Sequence, residues 1–210
     1  MSAATVFVVD DDPAVRKALE RLLRAAGHDV LGFSSAPAFL EGHDPAMPGC
    51  VVLDVAMPAM SGPELQQALA ASGGHRPIIF LTGRGDIATS VRAMKDGAVD
   101  FLTKPVDDAA LIAAVRKAID HDHSARAARS ERDAIGQRLA TLTRRELEVL
   151  RHVVAGRLNK QIAAELGTAE KTVKLHRGRM MTKMGVRSVA DLVRVTEKAG
   201  IVPAEPPNQR

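Results

Sequence analysis

Val51-Val52-Leu53-Asp54 decides the fold. Three apolar residues run straight into a single carboxylate, the pattern of a strand buried on both faces of a parallel sheet. The carboxylate then falls at the strand's C-terminal end, where open α/β sheets carry their chemistry. Working outward, Val6-Phe7-Val8-Val9 is a second such run, and it ends in Asp10-Asp11-Asp12. If the two strands lie side by side, their acids converge on one crevice. That crevice would hold a hard cation and leave Asp54 as the acceptor of chemistry.

The neighbouring sequence repeats the pattern. Strands are expected at 5–9, 28–33, 49–54, 77–81 and 98–102. Between the first two, Pro13 opens a helix with Val15, Leu19, Leu22 and Leu23 on its inner face, and Gly27 stops it. Shorter helices fit 35–41, 61–71 and 86–96. A last one over 107–120 carries Leu111, Ile112, Val115 and Ile119 as its stripe. Five β/α repeats with right-handed crossovers make an α/β fold, a doubly wound five-stranded parallel sheet covered on both faces.

Composition divides the chain in two. Its 210 residues include no tryptophan or tyrosine, and the five phenylalanines (Phe7, Phe33, Phe39, Phe80, Phe101) all lie in the first half. Residues 1–120 hold 11 Lys/Arg against 15 Asp/Glu, a net of −4, whereas residues 121–210 hold 18 against 10, a net of +8. An acidic front and a basic back point to a nucleic-acid or membrane partner for the back half only. The lone Cys50 rules out an internal disulfide framework and is assigned no role. No apolar run reaches the length of a membrane span. Met1-Ser2-Ala3-Ala4 leads at once into a strand without the features of a signal peptide. A soluble, cytoplasmic protein with no membrane partner is expected.

From 121 to 140 the apolar spacing thins, and the Arg/Ala/Glu-rich run reads as a linker, expected in helical form. His121-Asp122-His123 gathers no further ligands and reads as a solvated face rather than a metal site. The second domain is expected over 141–200. Thr143 caps its first helix, with Glu146 completing a capping box and Leu147, Leu150 and Val154 as the buried stripe. Asn159 is expected to cap a second helix with Ile162, Ala163 and Leu166 inside. After Gly167 a third helix runs from about 169 to 184, ended by Gly185. Ser188 caps a fourth that carries Ala190, Leu192, Val193 and Val195. Residues 201–210, with three prolines from Pro203 onward, form a loose tail.

A short helix, a glycine turn and a longer basic helix constitute a helix-turn-helix signal. On the third helix Val173, Met180 and Met184 form the core face. Lys171, Lys174, Leu175, Gly178 and Thr182 form the opposite face, able to enter a major groove, with Lys174 foremost at a base edge and Thr172 beside it. Arg144, Lys160, Arg177, Arg179, Lys183 and Arg187 are candidates for phosphates.

The front domain's chemistry follows from oxygen ligands. Mg²⁺ (or Mn²⁺ in its place) would take carboxylate oxygens from Asp11 and Asp54 and the backbone carbonyl of Ala56, with Asp10 acting through a water. Thr82, ending strand 77–81, presents a hydroxyl. Lys104, after strand 98–102, presents an ammonium that can neutralise a phosphoryl oxygen, and Pro105 follows it, the residue type at which cis peptides occur. Any one of these alone is an ordinary turn or surface residue. Acids after strands one and three, a hydroxyl after four and a lysine after five are a constellation.

These motifs resemble the receiver domain of bacterial two-component response regulators, a CheY-like fold with strand order 2-1-3-4-5. Val8-Val9-Asp10-Asp11-Asp12-Pro13, Asp54 with Met57-Pro58 and Met60-Ser61-Gly62, Leu81-Thr82-Gly83, and Gly97-Ala98-Val99-Asp100-Phe101-Leu102-Thr103-Lys104-Pro105 carry the resemblance. It implies that Asp54 takes a phosphoryl group from a sensor histidine kinase, with the cation bound as above. It also implies that Thr82 and Lys104 sense the phosphoryl oxygens and that Phe101 is the switch aromatic. The face around 86–96 and 98–102 is the expected dimer surface.

The back domain is similar to the LuxR/FixJ-type DNA-binding module, in the FixJ-like branch. Leu142-Thr143-Arg144-Arg145-Glu146, Asn159-Lys160-Gln161-Ile162-Ala163 and Lys171-Thr172-Val173-Lys174-Leu175-His176-Arg177 carry that resemblance. Ala56 departs from the polar residue common at its position, and Arg84 from the small one common at its own. The combined resemblance implies a phosphorylation-dependent transcription regulator, an activator in the first instance. Such a protein would dimerise on phosphorylation, bind a palindromic promoter site and meet RNA polymerase.

Two other function classes fit less well. An aspartyl-nucleophile phosphatase or phosphotransferase lacks here the second Asp two residues beyond Asp54 that would serve as general acid. A phospho-switched scaffold would leave the helix-turn-helix pattern without a purpose, and an RNA-binding role lacks stacking aromatics.

Overall fold

The structure is a computed structural model that describes residues 4–73, 76–83 and 97–204. The helix expected over 86–96, Arg84 and the end of the tail from 205 lie outside the described residues. The chain divides into two compact units, Met1–Arg126 and Ala127–Arg210.

In the first unit β1 (Thr5–Val9), β2 (Asp29–Phe33), β3 (Gly49–Asp54), β4 (Ile78–Thr82) and β5 (Asp100–Thr103) form one sheet of order β2-β1-β3-β4-β5. Every pairing among them is parallel. Helices α1 (Pro13–Ala25), α2 (Ala36–Gly42) and α3 (Gly62–Ala71) fall between strands, and α4 (Asp108–Ala140) follows the last. All residues of β1, β3 and β4 are buried, whereas edge strands β2 and β5 are partly open.

The continuous apolar runs are explained by what covers each face. Phe7, Val9, Val51, Leu53 and Phe80 point to one side, against Phe39 of α2 and Leu65 and Leu69 of α3. Val6, Val8, Val52, Ile79 and Leu81 point to the other, against Leu19 and Leu23 of α1 and Leu111, Val115 and Ala118 of α4. Successive strand residues therefore enter two different cores, as a doubly wound sheet requires.

Helix α4 runs unbroken for 33 residues, so the expected linker at 121–140 is its continuation. Two of its residues tie it to the end of the sheet opposite the acids. Asp122, 1% exposed, accepts hydrogen bonds from the Gly49 amide and Arg126 Nε, each at 2.8 Å. Arg126 also donates to the carbonyls of Pro45, Ala46 and Met47. From within the core, Arg76 stacks over Phe7 and donates to the carbonyl of Asp44. The loop before β3 is thus held by two guanidinium groups.

The second unit contains α5 (Arg144–Val154), α6 (Asn159–Glu165), α7 (Glu170–Met184) and α8 (Val189–Lys198). Ile135, Val149, Leu150, Val153, Ile162, Val173, Met180, Met184 and Leu192 form its core without any aromatic ring. Thr143 and Glu146 make the expected reciprocal cap. Three details differ from the sequence expectation. The buried stripe of α5 is Val149, Leu150 and Val153, with Leu147 and Val154 only half-buried, because that is the side on which Ile162, Val173, Met180 and Leu192 of the other helices pack. Leu158, not Asn159, precedes the first helical residue of α6; Asn159 Oδ1 accepts instead from Arg177. In α8 the inward residues are Leu192 and Thr196, and Ala190 is exposed. Thr196 can be buried because its hydroxyl donates back to the Leu192 and Val193 carbonyls.

Glu146, 2% exposed, also receives Lys183 Nζ at 2.6 Å, and that ammonium donates to the Thr141 carbonyl as well. The Lys183 hydrogen bond, followed by the Thr143 amide, pulls the Glu146 pKa down to about 2. A carboxylate whose folded pKa is depressed stabilises the domain above its ordinary value and loses that contribution as pH falls through the folded one. The stability of this unit is therefore expected to fall between pH 4.5 and about 2, measured by acid titration of circular dichroism. Lys183→Met should cost about 1–2 kcal/mol at pH 7 and flatten that acid limb. In the first unit, Asp122→Ala would leave the Gly49 amide buried without an acceptor, at a cost of about 2–3 kcal/mol. Faster hydrogen exchange at Gly49 and at the helix around 122–126 is the expected readout.

Candidate functional site

Strand register assembles the crevice. Val9 pairs with Leu53, so Asp10 and Asp54, each one residue further on or at the end of its strand, emerge side by side. Thr82 pairs with Thr103, which places Lys104 next to them on the neighbouring edge. Ligand oxygens of Asp10, Asp11 and Asp54 lie within 4.8 Å of one another. Asp10 and Asp54 are buried and Asp11 is exposed. A cluster of hard oxygen donors with one solvent-facing member suits a small divalent cation that keeps part of its water.

Lys104 closes the cluster. Its ammonium lies 2.7 Å from Asp10 Oδ2 and 2.8 Å from Asp54 Oδ1, and the Lys104–Pro105 peptide is cis. Burial raises the Asp54 pKa; Lys104 opposes the rise, while the charges of Asp10 and Asp11 add to it. For Lys104 burial acts to lower the pKa, but hydrogen bonds and charge attraction from Asp10 and Asp54 outweigh it, and the net shift is upward. The lysine is thus a fixed cation beside a carboxylate whose negative charge burial disfavours.

The remaining residues fall into two groups. Thr82 is buried, its hydroxyl donating to the Gly83 carbonyl at 3.0 Å. Phe101 is half-buried against Phe80, ring centroids 6.0 Å apart. Ala56 is exposed just beyond β3. Others in the sequence motifs serve the backbone. Asp12 caps α1, accepting from the Ala14 and Val15 amides, and is not part of the acid cluster. Ser61 and Glu64 form a capping box on α3. Gly62 comes so close to β3 that a Cβ there would lie 2.5 Å from the Asp54 carbonyl oxygen. Two contacts escape a reading of the sequence: Lys104 on Asp10, and the hydrogen bond from Arg16 Nη1 to the Asp10 carbonyl, 2.7 Å. Neither has a local sequence signal, since each joins groups from different elements.

In the second unit α7 separates its faces as expected. Val173, Met180 and Met184 are buried, while Lys171, Lys174, Gly178, Arg179 and Thr182 fall outside the core and Leu175 is 52% exposed. Thr172 is half-buried at the edge and Lys160 is exposed on α6. Arg177 is half-buried, its guanidinium on Asn159. Lys183, expected at a phosphate, has its ammonium committed to Glu146 and Thr141. An apolar residue with no place in the sequence motifs, Leu158, is 69% exposed at the start of α6.

No helix among the described residues is long and apolar enough to cross a membrane. Residues 6–116 match the response regulator receiver domain, and residues 140–196 match the luxR family of bacterial regulatory proteins. Nodulation protein W of Bradyrhizobium diazoefficiens is 48% identical over 94% of this chain and 87% of its own length. Transcriptional regulatory protein FixJ of Azorhizobium caulinodans is 46% identical over 95% of each chain. The solved structure of the response regulator StyR is similar at a TM-score of 0.85 and 49% identity, covering 94% of this chain and 100% of that one. A receiver joined to such a domain implies a sensor kinase and DNA as partners, and not an independent enzyme. The chain belongs to the two-component response regulators that couple a receiver domain to a LuxR/FixJ-type helix-turn-helix domain, and is a phosphorylation-dependent, DNA-binding transcription regulator.

Proposed function

We propose that Asp54 is the phosphoacceptor and that Asp10, Asp11, Thr82, Lys104 and the Ala56 carbonyl form its reaction site. The observation that carries this reading is the Lys104 ammonium held between Asp10 and Asp54 at 2.7 and 2.8 Å. An oxygen of the Asp54 carboxylate attacks phosphorus, a P–O bond forms, and the bond from phosphorus to the kinase's histidine nitrogen breaks. Burial destabilises the Asp54 anion in the resting crevice, and Lys104 keeps it ionised and aimed. As the phosphoryl group arrives, Lys104 transfers its hydrogen bond from the carboxylate to a phosphoryl oxygen. The residues fit Mg²⁺, or Mn²⁺ in its place, with Asp11, Asp54 and the Ala56 carbonyl holding it and Asp10 reaching it through water. When bound it would neutralise the phosphoryl oxygens.

The Thr82 hydroxyl, now on the Gly83 carbonyl, turns to the phosphoryl oxygens, and Phe101 moves into the space behind it. A phosphoryl group that binds one of two receiver states better shifts the population towards it. Dimerisation through the face near β5 then places two α7 helices on a palindromic site, where the regulator acts as an activator that meets RNA polymerase. On DNA, Lys174 and Lys171 reach base edges and Leu175 meets a thymine methyl, with Thr172 and Gly178 allowing close approach. Lys160, Arg177 and Arg179 meet phosphates. Lys183 supports α7 from within.

Asp54→Asn is expected to abolish acyl-phosphate labelling and the rise in operator affinity with BeF₃⁻. Labelling that persisted in this variant would overturn the assignment. Because the Asp54 pKa is raised by folding, ionisation at neutral pH opposes folding. The same variant is therefore expected to melt higher than the native chain at pH 7 without divalent cation, with the difference vanishing as pH falls below the ordinary carboxylate range. Lys174→Ala should cost about 1–3 kcal/mol on the preferred operator and relax its base preference. Lys160→Ala should weaken all duplexes alike and reduce the salt slope by about 1. Both effects are read by operator titration at several salt concentrations.

A further inference from the structure

Asp10 is held at every polar atom. Its amide donates to the Phe33 carbonyl at 3.2 Å. Its Oδ1 accepts from the Asp12 amide at 2.9 Å and its Oδ2 from Lys104 at 2.7 Å. The carbonyl is the one group that the sheet and crevice leave over, and Arg16 of α1 takes it at 2.7 Å. That carbonyl belongs to the peptide linking Asp10 to Asp11. Rotating it would swing the Asp11 side chain, the one solvent-facing member of the acid cluster, away from Asp54.

Gly32 of β2 lies beside α1, next to Glu20 and the Arg16 stem. Gly32 pairs with Val8, and a Cβ there would lie 1.9 Å from Glu20 Oε1 and 3.4 Å from Arg16 Cδ. Absence of a side chain at position 32 leaves the space that the Glu20 carboxylate occupies between α1 and β2, alongside the Arg16 stem. Glu20 itself is paired with Arg24 at 3.1 Å, so it does not draw Arg16 away from its carbonyl.

We infer that Arg16 is a positioning residue for the cation-holding acids: its hydrogen bond orients the Asp10–Asp11 peptide so that Asp11 faces Asp54. The assignment rests on the phosphoacceptor reading above. It is separable from a simple charge effect by sign. Arg16 is a cation near a cation site, so as a mere charge its removal would tighten divalent binding through relief of repulsion. As a positioning group its removal loosens binding, as loss of outer hydrogen bonds to metal ligands does.

The test is Mn²⁺ binding to the full-length chain, followed by the electron paramagnetic resonance signal of free Mn²⁺, since a chain with no tryptophan or tyrosine offers no intrinsic fluorescence from them. Arg16→Met, which keeps an apolar stem, is expected to weaken binding about tenfold. Arg16→Lys, with a donor on a shorter reach, should recover part of it. Arg16→Leu, which removes the donor and keeps apolar bulk, should weaken binding in the same direction; this variant and Arg16→Lys carry the test if Arg16→Met does not fold. Unchanged or tighter binding in Arg16→Met, or in the other two if that one is unfolded, would overturn the assignment while leaving the phosphoacceptor reading intact. A native chain that binds no Mn²⁺, with Asp11→Asn indistinguishable from it, would instead remove the cation site and this role together.

Discussion

Like charges forced together at one edge of a sheet are the constraint on which this molecule depends. Like charges a few Å apart repel appreciably even at a protein-surface dielectric, and three carboxylates here bring oxygens within 4.8 Å of one another. Lys104 supplies one compensating charge for the two buried acids. The cluster exists because the register of β1 on β3 is set by apolar residues that belong to two separate cores. Slipping either strand by one residue would exchange its faces, so the cost of misplacing hydrophobic side chains holds the acids in place. A site of this kind is poised, since a cation would relieve the repulsion among its acids.

Much that surrounds the acids is scaffolding of ordinary kinds. Asp12 and Ser61 satisfy amides at helix starts, and Gly62 lets α3 approach the Asp54 backbone. They belong to the sequence motifs because the geometry of the crevice needs them, without touching the chemistry. At the other end of β3, Asp122 and Arg126 grip Gly49 and the loop before it. One short strand, about 17–20 Å long, therefore has Asp54 at one end and a turn of a 33-residue helix at the other. The first compact unit extends to Arg126, ten residues beyond the stretch that matches the receiver family, and those two side chains lie within that extension.

The second unit shows how alike residues on one helix take different roles. Lys174 and Lys183 are both lysines of α7, nine positions apart. Lys174 is exposed, whereas Lys183 lies over the buried Glu146 and stabilises its charge. Burying that carboxylate without a partner would be costly, so the cap of α5 and the end of α7 stabilise one another. The buried core beneath is assembled from aliphatic side chains and methionine. Methionines at 180 and 184 fill the irregular space between α7 and its neighbours, which their flexible stems allow.

Strand periodicity, helix caps and the placing of Asp54, Asp10, Thr82 and Lys104 at strand ends are legible in the residues themselves, because each is a local property. A run such as Val6 to Val9 has no polar residue with which to face water, and Thr143 with Glu146 is a complete cap within four residues. The α5 stripe reads one position off from sequence, and Asn159 reads as a cap, because neighbouring elements and not local pattern decide which side chain has the better partner. Asp122 has the look of a solvated run and is among the most buried acids, since only the folded chain brings Gly49 to it. Short-range pattern determined which elements form and which side chains stand at their ends. Tertiary structure alone decided which of those side chains meet, because charge pairing and burial depend on distances that separation along the chain does not set.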